Sequence, residues 1–306
     1  MPASLLTTLF FSLSVIFAAR SSRVLGGSTA NLSRLALAAV LLAAWAHTFG
    51  GGFGGAGLPW FLLSGVIGFG LGDTALFGAL ERIGPRLSIL LTQCLAAPIA
   101  AVAEWLWLGH TLSLAEMGCS VLILVGVGVA LAPDRGFEGD RRTFWMGTLF
   151  GVGSAAGQAV GAVLSRKAGA VAVLAGTPVD GGTAAYQRIV AGVFVTGLAF
   201  AFIRRMRPAP GEVGREQWRR AWPLVAANAL AGPCIGVACY QWALATTRSG
   251  IVLPIVATSP LVTMLLTWAF DGSRPTRRAT AGGILAVLGA IGLSGGVVLK
   301  LFPAGE

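Results

Sequence analysis

Long apolar runs, each close to the length of a bilayer crossing, recur along this chain and constrain it more than any single motif. A helical span needs about 20 consecutive apolar residues. Ten candidates stand at 2–19, 32–48, 58–80, 87–108, 115–132, 144–165, 184–203, 221–245, 249–270 and 279–301. Only 11% of residues are charged, against about 25% in a soluble domain. Most of those charges cluster between the runs. Backbone groups inside lipid must be satisfied within their own segment, so the runs read as helices. The expectation is an all-α membrane protein of ten transmembrane helices with no inserted soluble domain.

The net charge of +10 does not point to nucleic acid here. The arginines flank apolar spans, where topology and anionic lipid account for them. The four cysteines, Cys94, Cys119, Cys234 and Cys239, lie inside spans without a CxxC pair. They read as small packing residues, not as metal ligands or disulfides. Arg20 follows the first apolar run instead of preceding it, so that run is the first span and not a signal peptide. GGGFGGAG at 50–57 has no Lys and Ser/Thr behind it, so it is a flexible turn and not a phosphate loop.

The chain repeats itself. TANLSRL at 29–35 matches TAAYQRI at 183–189, which sets Arg34 opposite Arg188. Pro98 answers Pro260, WLWLG at 105–109 answers WAFDG at 268–272, and Gly126 answers Gly289. Two five-span copies result, over 1–133 and 144–301. An odd number of spans per copy makes the second enter from the opposite face, giving two inverted five-helix repeats.

With an Arg opening the second span of each copy, the AL…P…W.LG segment and a Gly-rich fifth span, the chain resembles the EamA-type transporters of the drug/metabolite transporter superfamily. The resemblance covers nearly the whole chain. It implies a ten-helix carrier in the cell (plasma or inner) membrane, exporting or exchanging amino acids or other small metabolites. One departure is clear. The family commonly has Glu after the LG that closes the fourth span, and this chain has His110 there and Ser273 in the second copy.

Orientation draws two opposed expectations. Sixteen of the 22 Lys and Arg lie in the connections after spans one, three, five, seven and nine. Positive-inside bias then puts both termini outside. The resemblance implies both termini in the cytoplasm.

Ionisable residues within spans are functional candidates by default. Asp73, in GFGLGDTAL, has no basic neighbour in sequence, and its counterpart in the second copy is Val237. Glu104 stands beside Trp105 and Trp107, where an interface belt would let it reach headgroups. Gln93, Gln158, Asn228 and Gln241 can hydrogen-bond a polar solute or tie helices together. Gly68, Gly70 and Gly72 interrupt span three, and Gly232, Pro233 and Gly236 interrupt span eight at corresponding positions. Paired interruptions of this kind mark a midplane pathway. Arg34 and Arg188, at equivalent repeat positions, read as structural charges.

Enzyme readings find little. Ser154 in GVGSAAG lacks a downstream His, since His47 and His110 both precede it, and no HExxH occurs. The sequence therefore predicts a secondary transporter of a small polar or amphipathic solute, with proton coupling as one option. It calls for no cofactor, metal or nucleic acid, and for a monomer or homodimer in the bilayer. A non-transporting membrane scaffold is the alternative.

Overall fold

A computed structural model describes residues 2–131, 140–206, 213–271 and 276–301. Every regular element among them is helical. The first half holds α1 (Pro2–Leu25), α2 (Gly27–Thr48), α3 (Leu58–Gly65), a π-helical turn π1 (Val66–Gly72), α4 (Asp73–Leu108) and α5 (Leu114–Leu131). The second holds α6 (Arg141–Leu174), α7 (Gly181–Met206), α8 (Arg215–Ala229), π2 (Leu230–Gly236), α9 (Val237–Thr246), α10 (Ser249–Val256), α11 (Ser259–Asp271) and α12 (Arg277–Leu301). Nine helical segments among the described residues are long and apolar enough to cross a membrane. The chain is a multi-pass membrane protein.

Several boundaries differ from the sequence expectation, three of them at α4, α6 and the α10–α11 break. One helical element, α4, covers Asp73–Leu108, including residues 81–86 between the expected spans, although Pro85 there has no N–H to donate. The chain nevertheless reverses there. Ala75, Gly78 and Ile83 meet Gly153, Phe150 and Gly147 in one direction along α6. Leu91, Gln93 and Glu104 then meet Gly151, Gln158 and Arg166 in the other. Span six extends to Leu174. Span nine breaks at Ala257 and Thr258 into α10 and α11. Pro260 has no N–H to offer the Val256 carbonyl, and the Ser259 hydroxyl bonds it instead at 2.6 Å. From α1, Thr8 and Ser12 add bonds to the carbonyls of Ile255 and Ser259 at 3.2 and 2.8 Å.

The connections place the ends. The first bundle face carries the ends of α2, α4, α6 and α9 and the starts of α3, α5, α7 and α10. Gly51 accordingly bonds Thr183 there, and Glu104 bonds Ser249. At the opposite face, Leu25 and Ala30 pack with Ala221 and Val225.

The halves interlock. α6 lies against α3, π1 and α4, while α1 lies against α8, π2 and α9. Helices α5 and α12 pair antiparallel through small residues. A Cβ on Gly126 would lie 2.5 Å from the Gly282 carbonyl oxygen, and one on Gly289 would lie 2.8 Å from that of Cys119. Cys119 and Gly282 are themselves repeat counterparts, so the contact is reciprocal. Without a hydrophobic drive between helices in lipid, such close approach supplies the packing.

Gly126→Ala should therefore destabilise the protein by about 1–3 kcal/mol, because its methyl meets backbone that cannot turn aside. Gly128→Ala, with open space at its Cβ position, should be neutral or mildly stabilising. Thermal unfolding of the purified variants in detergent checks the contrast.

Candidate functional site

The two interrupted spans cross the bundle as matched π turns. Asp73 donates its backbone N–H to the Gly68 carbonyl, and Val237 donates to that of Gly232. Both bonds reach five residues back, the signature of a π turn, which is frequent at functional sites. Each turn ends on a glycine with little or no room for a Cβ. A Cβ on Gly72 would stand 3.2 Å from the Ile67 oxygen, and one on Gly236 would stand 2.6 Å from the Ala231 oxygen. The crossing helices also come close. A Cβ on Gly157 of α6 would lie 2.7 Å from Gly72 Cα, and Phe11 of α1 stands against Gly236. Gly70 backs onto Val195, and Pro233 is buried within π2.

Each π turn receives an arginine from the other half. The Arg34 guanidinium on α2 reaches π2, with Nη1 3.5 Å from the Cβ position of Gly232. The Arg188 guanidinium on α7 reaches π1, with Nη2 3.0 Å from the Cβ position of Gly68. Their polar partners differ. Arg34 donates from Nε to Asn31 Oδ1 at 2.8 Å and from Nη2 to Asp73 Oδ2 at 3.3 Å. Arg188 is only 5% exposed and lies over the Phe69 ring, 5.2 Å from its centroid. Its Nε is buried without a hydrogen-bond partner among the described residues. The two arginines, equivalent in sequence, thus sit in different surroundings.

The remaining candidates distribute around this centre. Asn228, in α8 just before π2, accepts a 2.6 Å bond from Ser14 of α1. Gln158 donates to Gln93 at 3.5 Å, across α6 and α4. Gln241 is buried with its Nε2 unpartnered. Tyr240, absent from the sequence candidates, is buried in contact with Phe11, and its hydroxyl also lacks a partner. Ser273 lies outside the described residues.

Glu104 belongs to a separate cluster at the first bundle face. It is 2% exposed, so it does not reach headgroups, whereas Trp105 and Trp107 are both 56% exposed. Adjacent residues on a helix point in different directions, which separates the carboxylate from the belt. Its Oε1 pairs with Arg166 Nε at 2.7 Å and with His110 Nδ1 at 3.5 Å. Its Oε2 accepts from the Ser249 N–H at 2.7 Å, from the Ser249 hydroxyl and from the Gly250 N–H. Arg166 also donates to the Leu244 and Thr247 carbonyls. Nearby, Arg248 bonds Glu116 and the Thr111 carbonyl. Every one of these ties except those of Arg166 to α9 and the Glu104–His110 contact joins the two halves.

A third tie lies at the same face. Asp180 caps α7 through the Thr183 N–H and accepts from Trp45 Nε1 at 3.0 Å. Burial pushes its carboxyl up, but the bonds from Thr183, Trp45 and Gly182 outweigh that and hold it below the ordinary value.

The chain matches the EamA-like transporter family over residues 2–132 and 145–295. A solved crystal structure shares the fold with a TM-score of 0.72 at 20% identity, over 98% of each chain. No curated protein matches.

Removing Glu104 leaves Arg166 buried without its counter-charge. Glu104→Ala should cost about 3–5 kcal/mol. The double variant Glu104→Gln/Arg166→Gln should cost less than the sum of its single changes, since neither residue then strands the other. A double-variant cycle of melting transitions in detergent measures the difference.

Proposed function

The chain belongs to the EamA-like transporter family, and on that premise we propose a secondary transporter whose halves, two inverted five-helix repeats, rock about the paired π turns. The solute is a small metabolite, an amino acid or a related polar or amphipathic compound, exported or exchanged across the cell membrane. The reciprocal α5–α12 contact and the exchange of arginines between halves support the inverted arrangement. The observation that carries the reading is the Arg34–Asp73 pair, placed where π1 ends and π2 passes. Freed backbone and an ion pair at mid-depth are what a solute pathway requires.

Alternating access also needs contacts that hold one face shut and can be exchanged for others. The Glu104–Arg166–Ser249, Arg248–Glu116 and Trp45–Asp180 ties would serve at the first face, since each spans the halves. On this reading the conformation is the one closed at that face. Gln93, Gln158, Asn228 and Gln241 remain candidate solute contacts, and Glu104 is proposed as a closure residue.

Asp73→Asn should insert and fold but carry solute roughly tenfold more slowly or worse, because a charge-assisted pair with Arg34 is lost. Asp73→Glu should recover part of the flux. Counterflow in proteoliposomes, beside a melting curve to verify folding, tests both variants. Unchanged flux in a folded Asp73→Asn protein would remove the pair from the mechanism.

A further inference from the structure

We infer that Arg188 is the docking point for a solute carboxylate, so the transported species carries a single anionic group. The inference rests on the transport reading above and names the chemistry of that same centre. It starts from the broken symmetry of the two arginines. Arg34 is held by Asn31 and Asp73. At the equivalent positions around Arg188 the second half has Ala185 and Val237, both buried and apolar. Duplication has thus put a second guanidinium beside a π turn and removed both of its acceptors.

No hydrogen bond among the described residues replaces them; Asp73 and Tyr240 act on Arg188 only through space. The Phe69 face supplies a cation–π contact but offers no oxygen acceptor. Among the described residues no oxygen bonds Nε. A buried guanidinium without an acceptor is costly unless a ligand completes it. Nε and Nη2 share one edge of the planar group. The Nη2 end of that edge lies against Gly68 and Gly161, 3.0 and 3.5 Å from where a Cβ on each would stand, so a side chain at either would displace the guanidinium. Two parallel N–H donors on one edge match the two oxygens of a carboxylate. The buried Tyr240 hydroxyl, unpartnered and within electrostatic reach of Arg188, offers a third donor.

The charge count selects the class of anion. Arg34, Asp73 and Arg188 leave one net positive charge at the centre. A monocarboxylate neutralises it. A dianionic phosphate ester would leave an excess negative charge and would be repelled by Asp73. An α-amino acid remains compatible, its ammonium facing Asp73, but the ammonium is not required.

The test uses the purified full chain in detergent, with thermal shift as the readout. The probes are acetate, benzoate, indole-3-acetate and phenylalanine, each beside its carboxamide, with phenyl phosphate and chloride as the other anions. At least one carboxylate should raise the melting temperature while its carboxamide, phenyl phosphate and chloride do not. Arg188→Gln should weaken that carboxylate about tenfold or more, whereas Arg188→Lys should retain the shift at lower affinity. Should Arg188→Gln fail to fold, Tyr240→Phe together with Arg188→Lys gives the same comparison, each weakening the carboxylate and leaving carboxamides unaffected. Equal shifts from acid and amide, a response to chloride alone, an undiminished shift in folded Arg188→Gln, or no shift from any carboxylate would overturn the assignment. Proteoliposome counterflow separates it from the transport reading. Binding without flux would sink transport and keep the anion site. Flux of a solute that lacks a carboxylate would sink the anion site and keep transport.

Discussion

A guanidinium carried into a bilayer must be held there, and that requirement shapes the centre of this protein. A charged residue at mid-span costs about 2.5–3.5 kcal/mol on insertion scales. Arg34 meets the cost with Asn31 and Asp73, which fixes α2 against the start of α4. Arg166 meets it with Glu104 and two carbonyls at the end of α9, which fixes α6 to α4 of the first half and to α9 of its own. The two arrangements lie at different depths. One sits among broken helices, and the other lies at a bundle face. Position along the helix thus decides whether a charge pair faces the centre or joins the rim.

Backbone chemistry lets these charges meet. A side chain at Gly236 would clash with the backbone of π2, one at Gly72 would crowd that of π1, and neither arginine could approach if Gly68 or Gly232 carried a bulky one. The crossing helices are built for the same closeness. α6 presents Gly157 and Gly161, and α1 presents Ser14 with Thr8 and Ser12, whose hydroxyls meet the Ile255 and Ser259 carbonyls where α10 gives way to α11. Small faces and replaceable hydroxyl bonds can slide by a fraction of a turn without opening a void. Large interdigitated side chains would lock the halves together.

Much of this was legible in the sequence, and the failures have physical causes. Apolar length gave the spans, because lipid leaves a helix little alternative. Clustered Gly and Pro marked both interruptions, since no other residues tolerate such backbone proximity, although the five-residue bonding was not visible. Asp73 showed no basic neighbour because its partner is 39 residues away on another helix. Glu104 looked interfacial beside two tryptophans, and only the helical turn separating their directions reveals it as buried. Thr258-Ser259-Pro260 signals the break before Pro260, but the whole stretch is apolar enough to read as one span. Tyr240 carried no signal at all. A buried aromatic hydroxyl is conspicuous only when its surroundings are known.

Symmetry explains what a duplicated fold can do that a perfectly repeated one could not. Two identical halves would place two Arg–Asp pairs about the axis and leave the centre neutral and self-satisfied. Here one half keeps its acceptors and the other replaces them with Ala185 and Val237, while adding Tyr240 where the first half has Leu76. The scaffold survives, because Arg188 still packs on Phe69 and the π turn still closes. What changes is the balance of donors over acceptors at the midplane. A fold that holds itself together with matched contacts can bind something else only where the match is broken, and between the two π turns this chain breaks it at Arg188.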